Sequence, residues 1–287
     1  MNAMSTSRSI LITGCSSGIG LCAALALQRR GWRVFASARH EADVARLRER
    51  GLHDALQLDL ANSASIAEAT VAVLDATGGR LDALFNNGAY GQPGAVEDLT
   101  RAVMREQLEV NLLGWLELTN RLLPVMRRQG HGRIVNNSSI LGLIALPFRG
   151  AYVTSKFALE GLSDTLRLEL RGSGIHVCLI EPGPITSRFR ANAYAAFKRH
   201  IDRENSPFAV AYAGAERRLA KPESARAAFE LGPEAVVNAL LHALESPRPR
   251  ARYYVTFPTR LFGTLRRLLP TRALDGLLAR ISRNENA

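Results

Sequence analysis

The chain has 287 residues, of which 47% are hydrophobic and 22% charged, a balance that excludes a disordered protein and predicts a globular one. The formal charge is +11, and it comes almost wholly from arginine, because the only lysines are Lys156, Lys198 and Lys221. The arginines are scattered along the chain, so a basic surface is favoured over a nucleic-acid-binding stripe, and we expect no nucleic-acid partner.

Cysteine and histidine usage narrows the function classes further. Cys15, Cys22 and Cys178 are odd in number and unclustered, which favours free thiols in a reducing compartment over a disulfide framework. The histidines show no metal-ligand spacing, so we expect no metal site. The N-terminus lacks the apolar segment of a signal peptide, and no apolar run reaches transmembrane length. These features predict a cytoplasmic protein.

Short apolar runs alternate with helical patterns from the start of the chain. The strand-like runs are SILIT, RVFASA, ALQLD, LDALFNN, GRIVNNSS and IHVCLIEPG. The longest helical pattern lies around RAVMREQLEVNLLGWLELTNRLLPVMRR. Near-continuous apolar strands are typical of sheets covered by helices on both faces. We therefore predict an α/β fold with a doubly wound parallel sheet, forming one domain over residues 1–287.

The pattern changes after the sixth strand. Residues 187–230 carry polar letters and scattered aromatic residues without a clear strand, which predicts an irregular substrate-loop insertion. A helix then follows at GPEAVVNALLHALES and a last strand near RYYVTF.

The tail, residues 259–287, is amphipathic. Leucines recur at helical spacing, arginines fill the opposite positions, and Pro270 divides two short helices. We favour packing of this stripe on its own domain or on a partner subunit, while contact with an anionic membrane surface stays open.

A glycine-rich turn joins the first strand to the first helix. It reads Thr13-Gly14-Cys15-Ser16-Ser17-Gly18-Ile19-Gly20. Backbone N–H groups and the positive end of the helix point at a phosphate in such a turn, and glycine allows the tight bend and close approach. The turn predicts a dinucleotide-binding site.

Tyr152 and Lys156 lie four positions apart within AYVTSKFALE, so they share one helix face. Taken alone, the pair is more typical of an aromatic residue at a helix start beside a solvated lysine than of a catalytic pair. The surrounding motifs decide between these interpretations.

Together these motifs resemble the short-chain dehydrogenase/reductase family, and the resemblance extends from Ile10 to about Phe189. The further matching segments are Asn86-Asn87-Gly88-Ala89 after the fourth strand, Asn111 in the following helix, Ser139 thirteen residues before Tyr152, and Pro182-Gly183 after the sixth strand. The family usually has Asn-Asn-Ala-Gly at 86–89, so the roles of Gly88 and Ala89 do not carry over directly. The segments VFASAR, NSSILGLIALPFRGAYVTSK and LIEPGPITSRF resemble bacterial NADP-dependent aldehyde reductases and the retinol/17-beta-hydroxysteroid dehydrogenase-like branch.

The resemblance implies a Rossmann fold and hydride transfer between a nicotinamide and a carbonyl or alcohol. It implies four catalytic residues: Asn111, Ser139, Tyr152 and Lys156. We expect the Lys156 ammonium to lower the pKa of Tyr152 from about 10, and Ser139 to bind the substrate oxygen. By resemblance, Asn111 orders a water and Lys156 holds the nicotinamide ribose. A nucleotide-sensing regulator is the non-enzyme alternative, which the intact set of four disfavours.

The resemblance also implies a set of cofactor contacts. They are Gly14, Ser16, Ser17, Gly18, Ile19, Gly20, Arg39, Asp59, Asn87, Tyr152, Lys156, Pro182, Gly183 and Thr186. Asn87 and Ile19 are equally compatible with ordinary packing. Asp59 matches either an adenine contact or a loop cap.

Cofactor preference depends on the end of the second strand, where Ala38 is followed by Arg39. An arginine there can bind a 2′-phosphate with charge assistance, so NADP(H) is favoured over NAD(H). A surface arginine, with Glu41 or Asp43 serving NAD, is the alternative.

The substrate prediction is coarser. The apolar segment ILGLIALPFRG and the aromatic residues of 187–230 predict a pocket for a lipophilic carbonyl, although core packing explains many of them as well. An aldehyde is favoured over retinoid-like or steroid-like compounds. By family resemblance we expect a homodimer or homotetramer.

Overall fold

A seven-stranded parallel sheet forms the centre of the molecule. The computed structural model describes residues 7–220 and 228–286. The strand order is β3-β2-β1-β4-β5-β6-β7, and all neighbouring strands run parallel. The strands are β1 Ser9–Ile12, β2 Arg33–Ala38, β3 Leu56–Gln57, β4 Ala83–Asn86, β5 Gly132–Asn137, β6 Ile175–Glu181 and β7 Arg252–Tyr254. The predicted doubly wound α/β fold is confirmed.

Helices cover both faces of the sheet because successive strand side chains point to opposite sides. Ile10 and Ile12 join one apolar cluster with residues of α1, α2 and α9, whereas Leu11 joins a second cluster with residues of α3, α5 and α6. The helices are α1 Gly18–Arg29, α2 Glu41–Glu49, α3 Ser63–Ala76, α4 Arg101–Leu108, α5 Gly114–Gln129, α6 Gly150–Glu169, α7 Phe189–His200, α8 Ala209–Ala220, α9 Glu234–Glu245, α10 Phe257–Leu268 and α11 Thr271–Asn286. Within the described ranges, none of these helices is long and apolar enough to cross a membrane.

The strand order reverses at β1, which pairs with β2 on one side and β4 on the other. In open parallel sheets, ligands bind beyond the carboxyl ends of the strands at such a switch point. The glycine turn, Asn87, Ser139 and Pro182 all follow directly on the carboxyl ends of their strands. The fold therefore brings the predicted motifs to one edge of the sheet.

The long helix predicted after β4 is present but interrupted. Helices α4 and α5 are joined without a break by a π-helical segment, Glu109–Leu113, and Asn111 within it is fully buried. Such π segments are rare and frequently lie at functional sites.

The predicted irregular insertion at 187–230 is wrong for its described part, which holds α7 and α8. The two helices bury Phe197 and Tyr212 against Ala95, and the Tyr212 hydroxyl accepts a hydrogen bond from the Ala95 N–H at 2.7 Å. Alanine-rich stretches, which have high helix propensity but little apolar periodicity, explain the error. Residues 221–227 of this region lie outside the described residues.

The tail forms two helices separated at Pro270, as predicted. Phe262 of α10 and Leu278 of α11 pack with Leu141 and Ile144, in the segment that follows β5. In the described part of the tail, the apolar stripe thus packs on its own domain, beside Tyr152, which belongs to the same cluster.

Candidate active site

The glycine turn approaches the end of β4 so closely that a side chain would not fit. Gly14 has a φ of 72°, and a Cβ added there would lie 2.5 Å from the Cα of Gly88. A Cβ added at Gly20 would lie 2.3 Å from the carbonyl oxygen of Gly14. Glycine is therefore required at both positions, by a left-handed backbone at Gly14 and by close packing at Gly20.

The first turn of α1 is open to an anion. Ser17 is the N-cap residue, but its side chain makes no capping hydrogen bond, and the first turn holds no acidic residue. Ser16 is exposed and Gly18 is partly exposed, with a φ of 56°. Ile19 packs against the core. The uncapped N–H groups and the helix dipole fit the pyrophosphate of a dinucleotide.

Asn87 and Gly88 lock the end of β4 onto the glycine turn. The hydroxyl oxygen of Thr13 accepts hydrogen bonds from both backbone N–H groups, at 2.8 and 2.9 Å, and Trp115 Nε1 donates to the Gly88 carbonyl at 2.9 Å. A Cβ at Gly88 would lie 3.2 Å from the Gly14 nitrogen. Glycine at this position, in place of the family's usual alanine, therefore relieves a tight contact.

Arg39 and Asp59 lie beyond the ends of β2 and β3. Arg39 is exposed, and its Nε lies 3.2 Å from His40 Nε2. Asp59 Oδ1 accepts a hydrogen bond from the Ala61 N–H at 3.0 Å, the geometry of a loop cap. Asp59 thus caps its loop, and Arg39 lies exposed at the end of β2.

Beyond β6, the backbone closes on the start of α10. Pro182 is buried, and its carbonyl accepts from the Ile140 N–H at 2.8 Å. A Cβ at Gly183 would lie 2.2 Å from Thr256 Oγ1. The Thr186 hydroxyl donates to Glu230 at 2.8 Å. Gly183 and Thr186 lie at the sheet edge as expected, with the Thr186 hydroxyl already paired.

Tyr152 and Ser139 meet at this edge. Tyr152 lies in the first turn of α6, and Ser139 follows β5 and accepts a hydrogen bond from the Leu141 N–H at 3.1 Å. Burial raises the pKa of Tyr152 to about 12, and a hydrogen bond with the Ser139 side chain opposes this only in part. The phenol is therefore neutral and holds its proton near neutral pH.

Lys156 is buried beneath the tyrosine, with 1% of its surface exposed. Its Nζ donates to the Asn137 carbonyl at 2.8 Å and lies 4.4 Å from the centroid of the Trp115 ring. Burial lowers the pKa of Lys156 to about 7, against the opposing charge of Glu160. A buried amine with one carbonyl acceptor and an aromatic face keeps N–H groups available for a ligand.

The expectation that Lys156 lowers the pKa of Tyr152 is wrong for this arrangement. Lys156 Nζ lies 5.7 Å from the Tyr152 ring centroid and points to the Asn137 carbonyl. Burial disfavours both the phenolate and the ammonium, and it raises the pKa of Tyr152 where the expectation was a fall below 10.

Asn111 supports the loop after β4. Its Nδ2 donates to the Tyr90 carbonyl at 2.8 Å and to Ser155 Oγ at 3.3 Å, and its Oδ1 accepts from the Tyr90 N–H at 3.2 Å. The side-chain amide of Asn111 thus joins the Tyr90 segment to α6.

Sequence reasoning missed four residues around this centre. Phe189 packs edge-on against Tyr152, with ring centroids 5.2 Å apart. Trp115 and Asn137 hold Lys156, and Glu160 lies one turn beyond it. Asn137 stands two residues before Ser139, and this position in the sequence could have indicated a residue of the site. The contact of Trp115 with Lys156 depends on the packing of α5 against α6, which the sequence does not reveal.

Comparison with known proteins agrees with this arrangement. The family profile described as "short chain dehydrogenase" matches residues 8–197. The chain belongs to the short-chain dehydrogenase/reductase family. Family membership makes it an oxidoreductase that uses a nicotinamide cofactor, and the open turn at α1 fits such a group.

Similar proteins include two curated relatives and one solved structure. The chain is 44% identical to "Uncharacterized oxidoreductase YbbO" of Escherichia coli (strain K12), over 94% of each chain. It is 36% identical to "17-beta-hydroxysteroid dehydrogenase type 1" of Homo sapiens, over 86% of this chain and 77% of that protein. A short-chain dehydrogenase/reductase from Burkholderia phymatum in complex with NAD shares 25% identity and a TM-score of 0.74, over 91% of this chain and 92% of that one.

Within residues 7–220 and 228–286, no group of three His, Cys, Asp or Glu side chains is placed to hold a metal ion. Of the three cysteines, Cys15 and Cys178 are buried, and burial raises the pKa of Cys15 to about 12, so this thiol is inert.

Replacing Lys156 with methionine should stabilise the protein at neutral and acidic pH. Below about pH 7, wild type buries an ammonium, which opposes folding. Between about pH 7 and 10, the unfolded chain keeps a proton that the native lysine has lost, so wild-type stability from this group rises with pH. The advantage of Lys156→Met in free energy of unfolding should therefore be largest near pH 6, up to about 4 kcal/mol, and shrink towards pH 10.

Urea unfolding of both proteins across this pH range measures the difference. An advantage that does not change with pH would contradict the buried-ammonium account.

Proposed function

We propose that the protein is an NADP(H)-dependent reductase of lipophilic aldehydes or ketones. The observation that carries the proposal is the convergence of Ser139, Tyr152 and Lys156 at the sheet edge, beside the uncapped first turn of α1. A nicotinamide cofactor bound there supplies the hydride.

The protonation states favour reduction. Tyr152 holds its proton near neutral pH and can donate it from its hydroxyl to the developing alkoxide. Ser139 Oγ hydrogen-bonds the substrate oxygen and orients it. When the phenol loses its proton, the new negative charge favours the charged form of Lys156, so the lysine stabilises the phenolate at the moment it forms. The same residues run the reverse reaction at higher pH.

An apolar wall beside Tyr152 supports a lipophilic substrate. Leu141, Ile144, Phe262 and Leu278 form a buried cluster that Tyr152 joins. Phe189 adds an aromatic edge on another side of the same ring. An apolar substituent on a carbonyl bound at Tyr152 would therefore contact these side chains.

The alternative is an NAD(P)-dependent alcohol dehydrogenase of the retinol or hydroxysteroid type. The 36% identity with the human protein named 17-beta-hydroxysteroid dehydrogenase type 1 favours it. The apolar side chains beside Tyr152 suit a polycyclic alcohol as well as a lipophilic aldehyde. Turnover of a panel of substrates therefore separates the reductase from its alternative.

The panel should show turnover of aldehydes that depends on Tyr152. NADPH absorbance is followed with aliphatic, aromatic and retinoid aldehydes, and steroid alcohols are tested with NADP⁺. Tyr152→Phe removes the proton donor but keeps the ring, so kcat/KM should fall about 10²–10⁴-fold while NADPH still binds. Tyr194→Phe on α7 is the matched control and should retain full activity.

Equal activity in Tyr152→Phe would overturn the assignment of the acid. Activity restricted to steroid alcohols would replace the aldehyde proposal by its alternative.

NADP(H) preference should depend on Arg39. We propose that its guanidinium binds the 2′-phosphate, since it is exposed at the end of β2 and pairs with no carboxylate in the described residues. Arg39→Ala should weaken NADPH binding about 10- to 100-fold and leave NADH binding unchanged. Arg46→Ala on the exposed face of α2 is the matched control. A similar loss for both cofactors would exclude this role.

A further inference from the structure

Three acidic side chains surround one arginine beneath the catalytic lysine. Arg252 of β7 contacts Glu160, and it donates to Glu181 Oε1 at 2.8 Å and to Asp164 Oδ2 at 2.6 Å. Glu181 is fully buried, and Glu160 is 7% exposed. Arg252 of β7 thus places its positive charge against the carboxyl groups of Glu160 and Glu181, which are both buried.

One of these carboxylates holds a proton near neutral pH. Burial, followed by the charge of Glu160, raises the pKa of Glu181 to about 8. Burial also raises the pKa of Glu160, while Arg252 opposes the rise. The contact with the Arg252 guanidinium favours the carboxylate form of Glu160, and Arg252 also lowers the pKa of Asp164. Buried ion pairs are often no more stabilising than apolar residues of similar volume. A gain in folding stability is therefore not a sufficient reason for this cluster.

Glu160 borders Lys156 in two ways. It lies four positions further along α6, on the same helix face. Glu160 and Ser138 both lie against Gly142. A Cβ added to Gly142 would lie 3.0 Å from Glu160 Oε1 and 2.7 Å from Ser138 Oγ. Ser138 directly follows Asn137, whose carbonyl accepts the hydrogen bond from Lys156.

The other groups that face Lys156 are uncharged near neutral pH. They are the Tyr152 phenol on α6, the Trp115 ring on α5 and the Asn137 carbonyl on β5. Among the described residues, Glu160 is the charged side chain whose field acts on Lys156. The remaining charged members of the cluster stand behind Glu160.

We propose that Glu160, held by Arg252, is a positioning residue whose carboxylate favours the charged form of Lys156. The inference rests on the proposed function, in which the Lys156 ammonium stabilises the Tyr152 phenolate. It assigns a role in the active site to β7, which lies beyond the residues that match the family profile.

The titration of Lys156 can be observed directly, because the chain has only three lysines. The full-length protein is labelled with ¹³C-lysine, and the Cε resonances are followed by NMR from about pH 5 to about pH 11. The Lys156→Met spectrum identifies the Lys156 signal. In wild type its midpoint should lie near 7.

Glu160→Gln should lower this midpoint by about one pH unit, because the variant removes the negative charge that favours the ammonium. Glu160→Asp keeps the charge and should restore the wild-type midpoint. Arg30→Gln, which breaks the exposed pair with Glu245, is the matched control and should leave it unchanged. A purely structural role for Glu160 would lower stability without moving the titration.

An unchanged midpoint in Glu160→Gln overturns the proposal. If that variant does not fold, the double variant Glu160→Met/Arg252→Met removes both charges at similar volume and should show the same fall. The titration needs neither cofactor nor substrate. A shifted midpoint in a protein that is silent on the carbonyl panel would keep this inference and reject the proposed function.

Discussion

The hydrogen bond from the buried Lys156 amine to the Asn137 carbonyl is the constraint on which the site depends. It joins helix α6 to the end of β5, and thereby sets Tyr152, one turn earlier on the helix, against Ser139, two residues beyond that carbonyl. Burial of an amine is unfavourable, so the surroundings must be arranged for it. The Trp115 ring covers one side, and the carboxylate of Glu160 lies one turn away. In the proposed reaction, the charge of this buried lysine responds to the proton on Tyr152.

The same edge of the sheet is assembled from segments far apart in the chain. Thr13 binds the backbone that follows β4, Pro182 binds the segment after Ser139, and α10 and α11 cover the apolar side of Tyr152. The C-terminal region therefore does more than close the fold. It supplies the apolar wall and, through Arg252, the counter-charge for the carboxylates behind the lysine.

Much of this was predictable from the sequence, because the decisive features are local. Near-continuous apolar runs predicted six strands of the parallel sheet, and the run RYYVTF predicted the seventh. The glycine spacing of the first turn predicted the close approach that Gly14 and Gly20 show. The sequence contains no periodic pattern that indicates the Lys156–Asn137 hydrogen bond, the Lys156–Trp115 contact or the Arg252 cluster. Each of these joins residues that are distant in sequence. The pKa of Tyr152 was misjudged for the same reason, since spacing reveals a neighbour but not the depth of burial that outweighs it.

The central claim is that this lysine-supported tyrosine protonates a carbonyl that receives hydride from a nicotinamide. Single-turnover reduction of an aldehyde with NADPH deuterated at both C4 positions tests it most directly. The account predicts that the product alcohol carries one deuterium on the former carbonyl carbon with wild type, and that Tyr152→Phe forms almost no product. An unlabelled alcohol, or equal labelling and rate with Tyr152→Phe, would contradict it.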